Sequence, residues 1–170
     1  MLYKARVASR VNAGGEPDIP AGGDSLEALR RFFRSAPAAR RATRPLRREA
    51  EVALDLDGEP ARFTMASGAP EVLPGPARDP DFTMALPREA VRRLTSDPAG
   101  AGGLGVAFFR MVLSLEPAVR VRVRLHASTP RLVRRGYLEV LALGGLEVAW
   151  WLLRAGARSP LAAIERLRRR

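Results

Sequence analysis

The stretch "DFTMALPREAVRRLTSDP", Asp81 to Pro98, changes its hydrophobic period halfway, and that change decides the fold. Phe82, Met84 and Leu86 alternate with Thr83 and Ala85, which is the period of a strand. From Pro87 onward the apolar positions are Ala90, Val91 and Leu94, the period of a helix whose first turn tolerates a residue without an N–H. A strand running straight into an amphipathic helix calls for a sheet with helices laid against it.

Working outward, "EVALDLDGEPARFTMA" (Glu51 to Ala66) reads as a hairpin. Val52, Leu54 and Leu56 alternate on one arm, Asp57-Gly58 makes the turn, and Phe63 and Met65 resume the alternation. Ser67 to Pro80 reads as a Pro- and Gly-rich loop. Further upstream, "DSLEALRRFF" predicts a helix capped by Asp24 with Glu27 at the third position, its stripe made by Leu26, Leu29, Phe32 and Phe33. Residues 12–23, "NAGGEPDIPAGG", read as a linker, so residues 1–23 are expected to form a flexible arm. The arginine-dense "SAPAARRATRPLRREA" is broken by Pro37 and Pro45 and predicts a short helix plus a connection.

Downstream, "LGVAFFRMVLSLEP" (Leu104 to Pro117) is apolar nearly all round; a helix fits better than a strand, either buried or bordering an apolar ligand. "AVRVRVRLHA" (Ala118 to Ala127) alternates strictly: Val119, Val121, Val123 and Leu125 on one face, Arg120, Arg122, Arg124 and His126 on the other. Its arginines are expected to be solvated, or paired across strands with such acids as Asp55 and Asp57. "STPRLVRRGYLEVLALGG" predicts a helix starting at Thr129-Pro130 with Val133, Tyr137, Val140 and Leu141 on one side. The segment Tyr137 to Leu153 is short of the roughly 20 residues a membrane span needs, and Glu139 and Glu147 oppose spanning. Interfacial contact, and packing on the domain or on another chain through Trp150 and Trp151, both remain open.

The chain has 170 residues, a size for one domain with a sizeable core. It has no cysteine, which removes disulfides, thiolate metal sites and cysteine nucleophiles together. The beginning lacks the apolar run of a signal peptide, so a cytoplasmic protein is expected. A net charge of +11 favours anionic partners. Lys4 is the only lysine, and a GC-rich genome accounts for the use of arginine, but not for the excess of base over acid.

No catalytic constellation assembles, and neither a metal nor a cofactor is expected. His126 stands alone on the wet face of its strand. Asp55 and Asp57 imitate a carboxylate pair beside a hairpin turn, where solvation or pairing with arginine is the ordinary fate. "GAGGLG" (Gly100 to Gly105) lacks both the Lys-Ser/Thr of a P-loop and the spacing of a dinucleotide fingerprint. Ser67 in "ASGAP" has no nucleophile-elbow sequence.

The order of these segments resembles the sterol carrier protein type 2 (lipid-transfer) domain family. Asp79 to Gly100 carries the resemblance most closely: an acidic turn, a strand reading apolar-Thr-Met-apolar, and a helix ending at a glycine-containing break. "RVRVRLHASTPRLVRRGYLEVL" resembles the family's late strand and closing helix. The resemblance covers residues 24–143. It departs where Glu116-Pro117 and Ala127-Ser128 stand in place of a glycine pair, and residues after 144 have no counterpart.

The resemblance implies an α+β, two-layer domain in which a twisted sheet of about five strands is covered by helices around an apolar tunnel. It implies a non-enzymatic carrier of a hydrophobic ligand (sterol, isoprenoid quinone or acyl lipid), such as serves bacterial isoprenoid-quinone metabolism. Residues 24–143 are then the lipid-binding domain and 144–170 a helical, basic C-terminal extension. The pocket is expected to be lined by Phe82, Met84, Val91, Leu94, Phe108, Phe109 and Met111, which could equally close into a core. In "SPLAAIERLRRR", Arg166, Arg168, Arg169 and Arg170 would dock on an anionic membrane, placing the protein peripheral to the inner membrane, or simply solubilise the tail. Rival readings are a nucleic-acid-binding or protein-interaction module using the arginine face, which lacks interleaved aromatic platforms, and an oligomerising scaffold built on Trp150 and Trp151.

Overall fold

A computed structural model of the protein describes residues 21–96 and 101–143. The elements are α1 (Ala21–Ser35), α2 (Pro37–Thr43), β1 (Glu51–Leu56), β2 (Glu59–Thr64), β3 (Glu71–Pro74), β4 (Phe82–Ala85), α3 (Arg88–Ser96), α4 (Ala101–Val112), β5 (Arg122–Leu125), α5 (Thr129–Arg134) and α6 (Tyr137–Leu143). The strands form one sheet in the order β3-β2-β1-β4-β5. Only the β1–β4 pair is parallel; the other neighbours run antiparallel. This is an α+β architecture, as expected.

The β1–β2 hairpin turns where the sequence places the turn. Asp57 and Gly58 both adopt positive φ, +54° and +92°, as a two-residue turn matching the twist of the strands requires. Val52, Leu54 and Leu56 of β1 and Ala61 and Phe63 of β2 are buried. Over them lie Leu29 of α1, Ala90, Val91 and Leu94 of α3, and Met111 and Val112 of α4, with Phe33 of α1 packing its ring 5.1 Å from that of Phe63. Burying each large apolar side chain of this kind contributes roughly 1.5–3 kcal/mol, so this layer is the main source of stability.

The structure corrects the sequence reading in four places. Helix α1 begins at Ala21, so Asp24 lies in its first turn instead of capping it. The loop from Ser67 to Pro80 contains β3, whose Val72 is buried and pairs with Phe63. The helix expected from Thr129 is two helices, because Gly136 at φ +86° breaks it; Val133 is consequently half exposed. The alternating stretch from Val119 keeps its two faces, but only Arg122–Leu125 is paired as a strand.

Gly136 owes its place to the turn of chain before β1. A Cβ built on it would stand 2.1 Å from the Pro45 carbonyl oxygen. The Arg135 carbonyl accepts from the Arg47 N–H at 3.1 Å, so two backbone segments meet here with no room for a side chain.

Candidate functional site

Residue pairing assigns the two faces of the sheet. Phe82 and Met84 of β4 stand opposite the buried Val52 and Leu54, and Leu125 and Val123 of β5 stand opposite Phe82 and Met84. These four therefore point to the helix layer. Unlike Val52, Leu54 and Phe63 on the same face, they are only half-buried. Leu104 and Phe108 of α4, and Leu138 and Leu141 of α6, are half-buried against the same cluster. The apolar interior is thus closed over β1 and β2 and incompletely covered over β4 and β5.

The seven expected pocket residues divide along this line. Val91, Leu94 and Met111 are core residues. Phe82, Met84 and Phe108 pack on the core from its half-covered side, Phe82 edge-on to Tyr137 at 4.7 Å between ring centres. Phe109 is half-buried with its ring 6.0 Å from that of Phe108. Two depressions, of about 290 and 550 Å³, lie on the opposite side of the sheet and at its end, and neither is lined by any of the seven.

A polar constellation fastens the half-covered side. Asp81, 0% exposed, sits just before β4. Its Oδ1 accepts from Arg131 Nε at 2.9 Å and from Arg135 Nη1 at 2.8 Å. Its Oδ2 accepts from the Tyr137 hydroxyl at 2.8 Å and from the Glu51 N–H at 3.4 Å. Asp79 adds a second carboxylate, 2.7 Å from Arg131 Nη2 and 3.3 Å from Arg135 Nη2. Hydrogen bonding to Arg131 and the Arg131 charge, then hydrogen bonding and charge from Arg135, hold the Asp79 carboxyl below its ordinary range. Burial first, and the Asp81 charge second, push the Tyr137 hydroxyl well above the ordinary tyrosine range, so it stays a donor. Arg135 Nε finds no partner among the described residues.

This constellation ties β4 to the corner between α5 and α6. The Asp81 carbonyl also accepts from the N–H groups of His126 and Ala127, at 2.9 and 3.1 Å, which anchors the end of β5. Sequence reasoning noticed the acidic turn at Asp79 but not the lock. Its faint signal is the helical spacing of Arg131 and Arg135, which puts two cations on one face opposite acids spaced by two.

On the open side of the sheet, the structure decides between the two fates expected for the arginines, in favour of solvation. Arg120, Arg122 and Arg124 are exposed and enter no ion pair among the described residues. Asp55 and Asp57, their expected partners, are committed to backbone donors instead. Asp55 accepts from the Gly58 N–H at 2.7 Å, and Asp57 accepts from the Arg88 N–H at 2.9 Å, capping α3. His126 is hydrogen-bonded to the Thr83 hydroxyl at 2.8 Å. No helix among the described residues is long and apolar enough to cross a membrane. Trp150, Trp151, Arg166, Arg168, Arg169 and Arg170 lie outside the described residues.

No family model and no curated protein sequence matches the chain. Among solved structures it is similar to one described as "UbiJ-SCP2 Ubiquinone synthesis protein", at 17% sequence identity and a TM-score of 0.37, over 73% of this chain and 94% of that one.

Proposed function

We propose that this protein binds a hydrophobic, lipid-like molecule without chemically transforming it, between the helix layer and the β4–β5 half of the sheet. One observation carries the reading: on the helix side, Phe82, Met84, Val123 and Leu125 are left half-buried where their neighbours on β1 and β2 are sealed. Apolar surface left partly wet inside a layered domain is where an apolar ligand gains most by entering. The half-buried Leu104 and Phe108 put α4 at the mouth of this region. A ligand seated there would exchange those wet contacts for dry ones, with Val91, Leu94 and Met111 as the floor. The sterol-carrier resemblance of residues 24–143 agrees in the class of ligand, a sterol, isoprenoid quinone or acyl lipid.

The test is native mass spectrometry of the full chain as purified, then organic extraction and lipid identification. A stoichiometric apolar adduct is expected, and Phe108→Asp is expected to remove it by placing a charge at the mouth. A clean apo mass that stays clean after incubation with a total lipid extract would overturn the reading and leave a closed core.

A further inference from the structure

We infer that the loop between α4 and β5 is a docking element for anionic lipid bilayers. Residues 112–120 leave and rejoin the domain at one point, where the Val121 N–H donates to the Met111 carbonyl at 3.1 Å. Inside the loop, the Val119 N–H donates to the Glu116 carbonyl at 3.2 Å, and the Ser114 hydroxyl oxygen accepts from the Glu116 N–H at 3.1 Å. Val119 is buried and fixes the return limb. The loop is therefore preformed, and little ordering is needed when it binds.

What this loop presents is apolar. Leu115 is 91% exposed and Leu113 44% exposed, and Pro117 and Ala118 beside them are exposed as well. A single exposed leucine is ordinary; two on one pinned loop make an apolar tip. The surroundings are cationic. Arg110 is exposed one helical turn before Leu113, and Arg120 and Arg122 are exposed on the outgoing limb, where they border the same depression as Pro117; Asp55 and Asp57 line its far side, their carboxylates engaged by the Gly58 and Arg88 N–H groups. None of these three forms an ion pair among the described residues. Glu116, the one acid in the loop, lies 3.6 Å from Arg93 and so is compensated.

An apolar tip with unpaired arginines at its base matches a bilayer whose headgroups are negative and whose acyl region begins just beneath them. A nucleic acid would engage the arginines but has no use for the leucines, since bases stack on aromatic rings and guanidinium planes. The bilayer is therefore the partner that satisfies both halves of the surface. This docking does not depend on what, if anything, fills the interior.

The experiment is co-sedimentation of the full chain with vesicles of phosphatidylcholine alone or containing phosphatidylglycerol. Binding is expected only to the anionic vesicles and is expected to weaken as salt is raised. Leu113→Ser with Leu115→Ser should weaken it about tenfold by removing the apolar tip. Arg120→Gln with Arg122→Gln should weaken it about 30-fold, at about fivefold for each arginine. All four side chains are at least partly exposed, so unchanged circular dichroism should accompany both losses. As a second readout, a polarity-sensitive dye on Ala118→Cys, which is unique because the chain has no cysteine, should shift to the blue on anionic vesicles. If the leucine variant binds as the parent does, or the dye stays in water, the docking element is elsewhere and the inference fails. Arginine-dependent binding to duplex DNA as tight as to vesicles, with no leucine dependence in either, would also overturn it in favour of a general polyanion surface.

Discussion

Replacing Asp81 by Asn tests whether the buried lock holds the half-covered side of the domain. Arg135 loses an ionic partner at 2.8 Å while its side chain is 9% exposed, so water cannot readily replace the carboxylate. Breaking a buried pair from one side costs about 3–5 kcal/mol, because the remaining charge is left uncompensated. Asp79 still stands 3.3 Å from Arg135 and 2.7 Å from Arg131, which puts the expected loss near the lower end, about 3 kcal/mol. Against a total stability of about 5–15 kcal/mol this is a large fraction. In a domain of this size it lowers Tm by about 6–12 °C. Urea unfolding followed by circular dichroism measures it directly. Asp81→Leu combined with Arg135→Met and Tyr137→Phe should recover most of the loss, since a buried network replaced whole by apolar side chains is often neutral while Arg131 keeps Asp79 at 2.7 Å. An Asp81→Asn variant within about 1 kcal/mol of the parent at unchanged m-value would show that the network stabilises no more than a surface pair does.

Gly136→Ala should cost about 2–5 kcal/mol in the same assay, from a left-handed backbone and a Cβ driven against the Pro45 carbonyl; a loss below 1 kcal/mol would mean that the α2–β1 connection moves aside freely. Hydrogen bonds from Arg92 and Arg93 hold the Glu89 carboxyl down to about 2, so its contribution to stability is present above its ordinary value of 4.5 and is lost as pH falls toward 2. Thermal melts across that window should fall less steeply for Glu89→Gln than for the parent, and parallel curves would refute the assignment. Tyr137 has the opposite sign: its folded form keeps the proton, so stability is intact below pH 10 and declines above it. In a Tyr3→Phe background, which leaves Tyr137 as the only tyrosine, absorbance near 295 nm should report no phenolate at pH 10.5 until the chain unfolds, and a normal titration would place the hydroxyl in water.

Much of the layer architecture was legible because it is periodic. The Asp81–Pro98 change of period locates β4 and α3, Asp57-Gly58 locates the hairpin, and Leu29 and Phe32 mark the buried stripe of α1. Strand β3 was hidden because its four residues include Pro74 and sit among turn formers, and an edge strand shows its period too briefly to count. The break at Gly136 was written as a glycine within a helical pattern, but the reason for it, the Pro45 carbonyl, comes from far upstream. The same applies to the lock: Asp81 meets Arg131 and Arg135 across 50 and 54 residues, and a single sequence does not reveal long-range partners. Of the two fates expected for Arg120 and Arg122, solvation wins over pairing with Asp55 and Asp57 for a local reason, since turns and helix starts offer carboxylates backbone N–H groups closer at hand.

These details converge on β5, whose two faces bear on the two proposals. Val123 and Leu125 face the half-covered interior, while Arg120, Arg122 and Arg124 face solvent near the α4–β5 loop. Because side chains alternate along extended chain, a slip of one residue would turn the arginines into the apolar layer and the valines into water. A short edge strand has few ladder bonds to prevent that. Here both ends are held from outside the ladder: the Val121 N–H by the Met111 carbonyl, and the His126 and Ala127 N–H groups by the Asp81 carbonyl. The first contact also closes the base of the leucine loop. The second belongs to the residue whose carboxylate locks α5 and α6. The Asp81 backbone therefore helps hold the register of β5 while its side chain holds α5 and α6, and that register keeps apart the half-covered apolar interior and the basic exterior on which the two proposals rest.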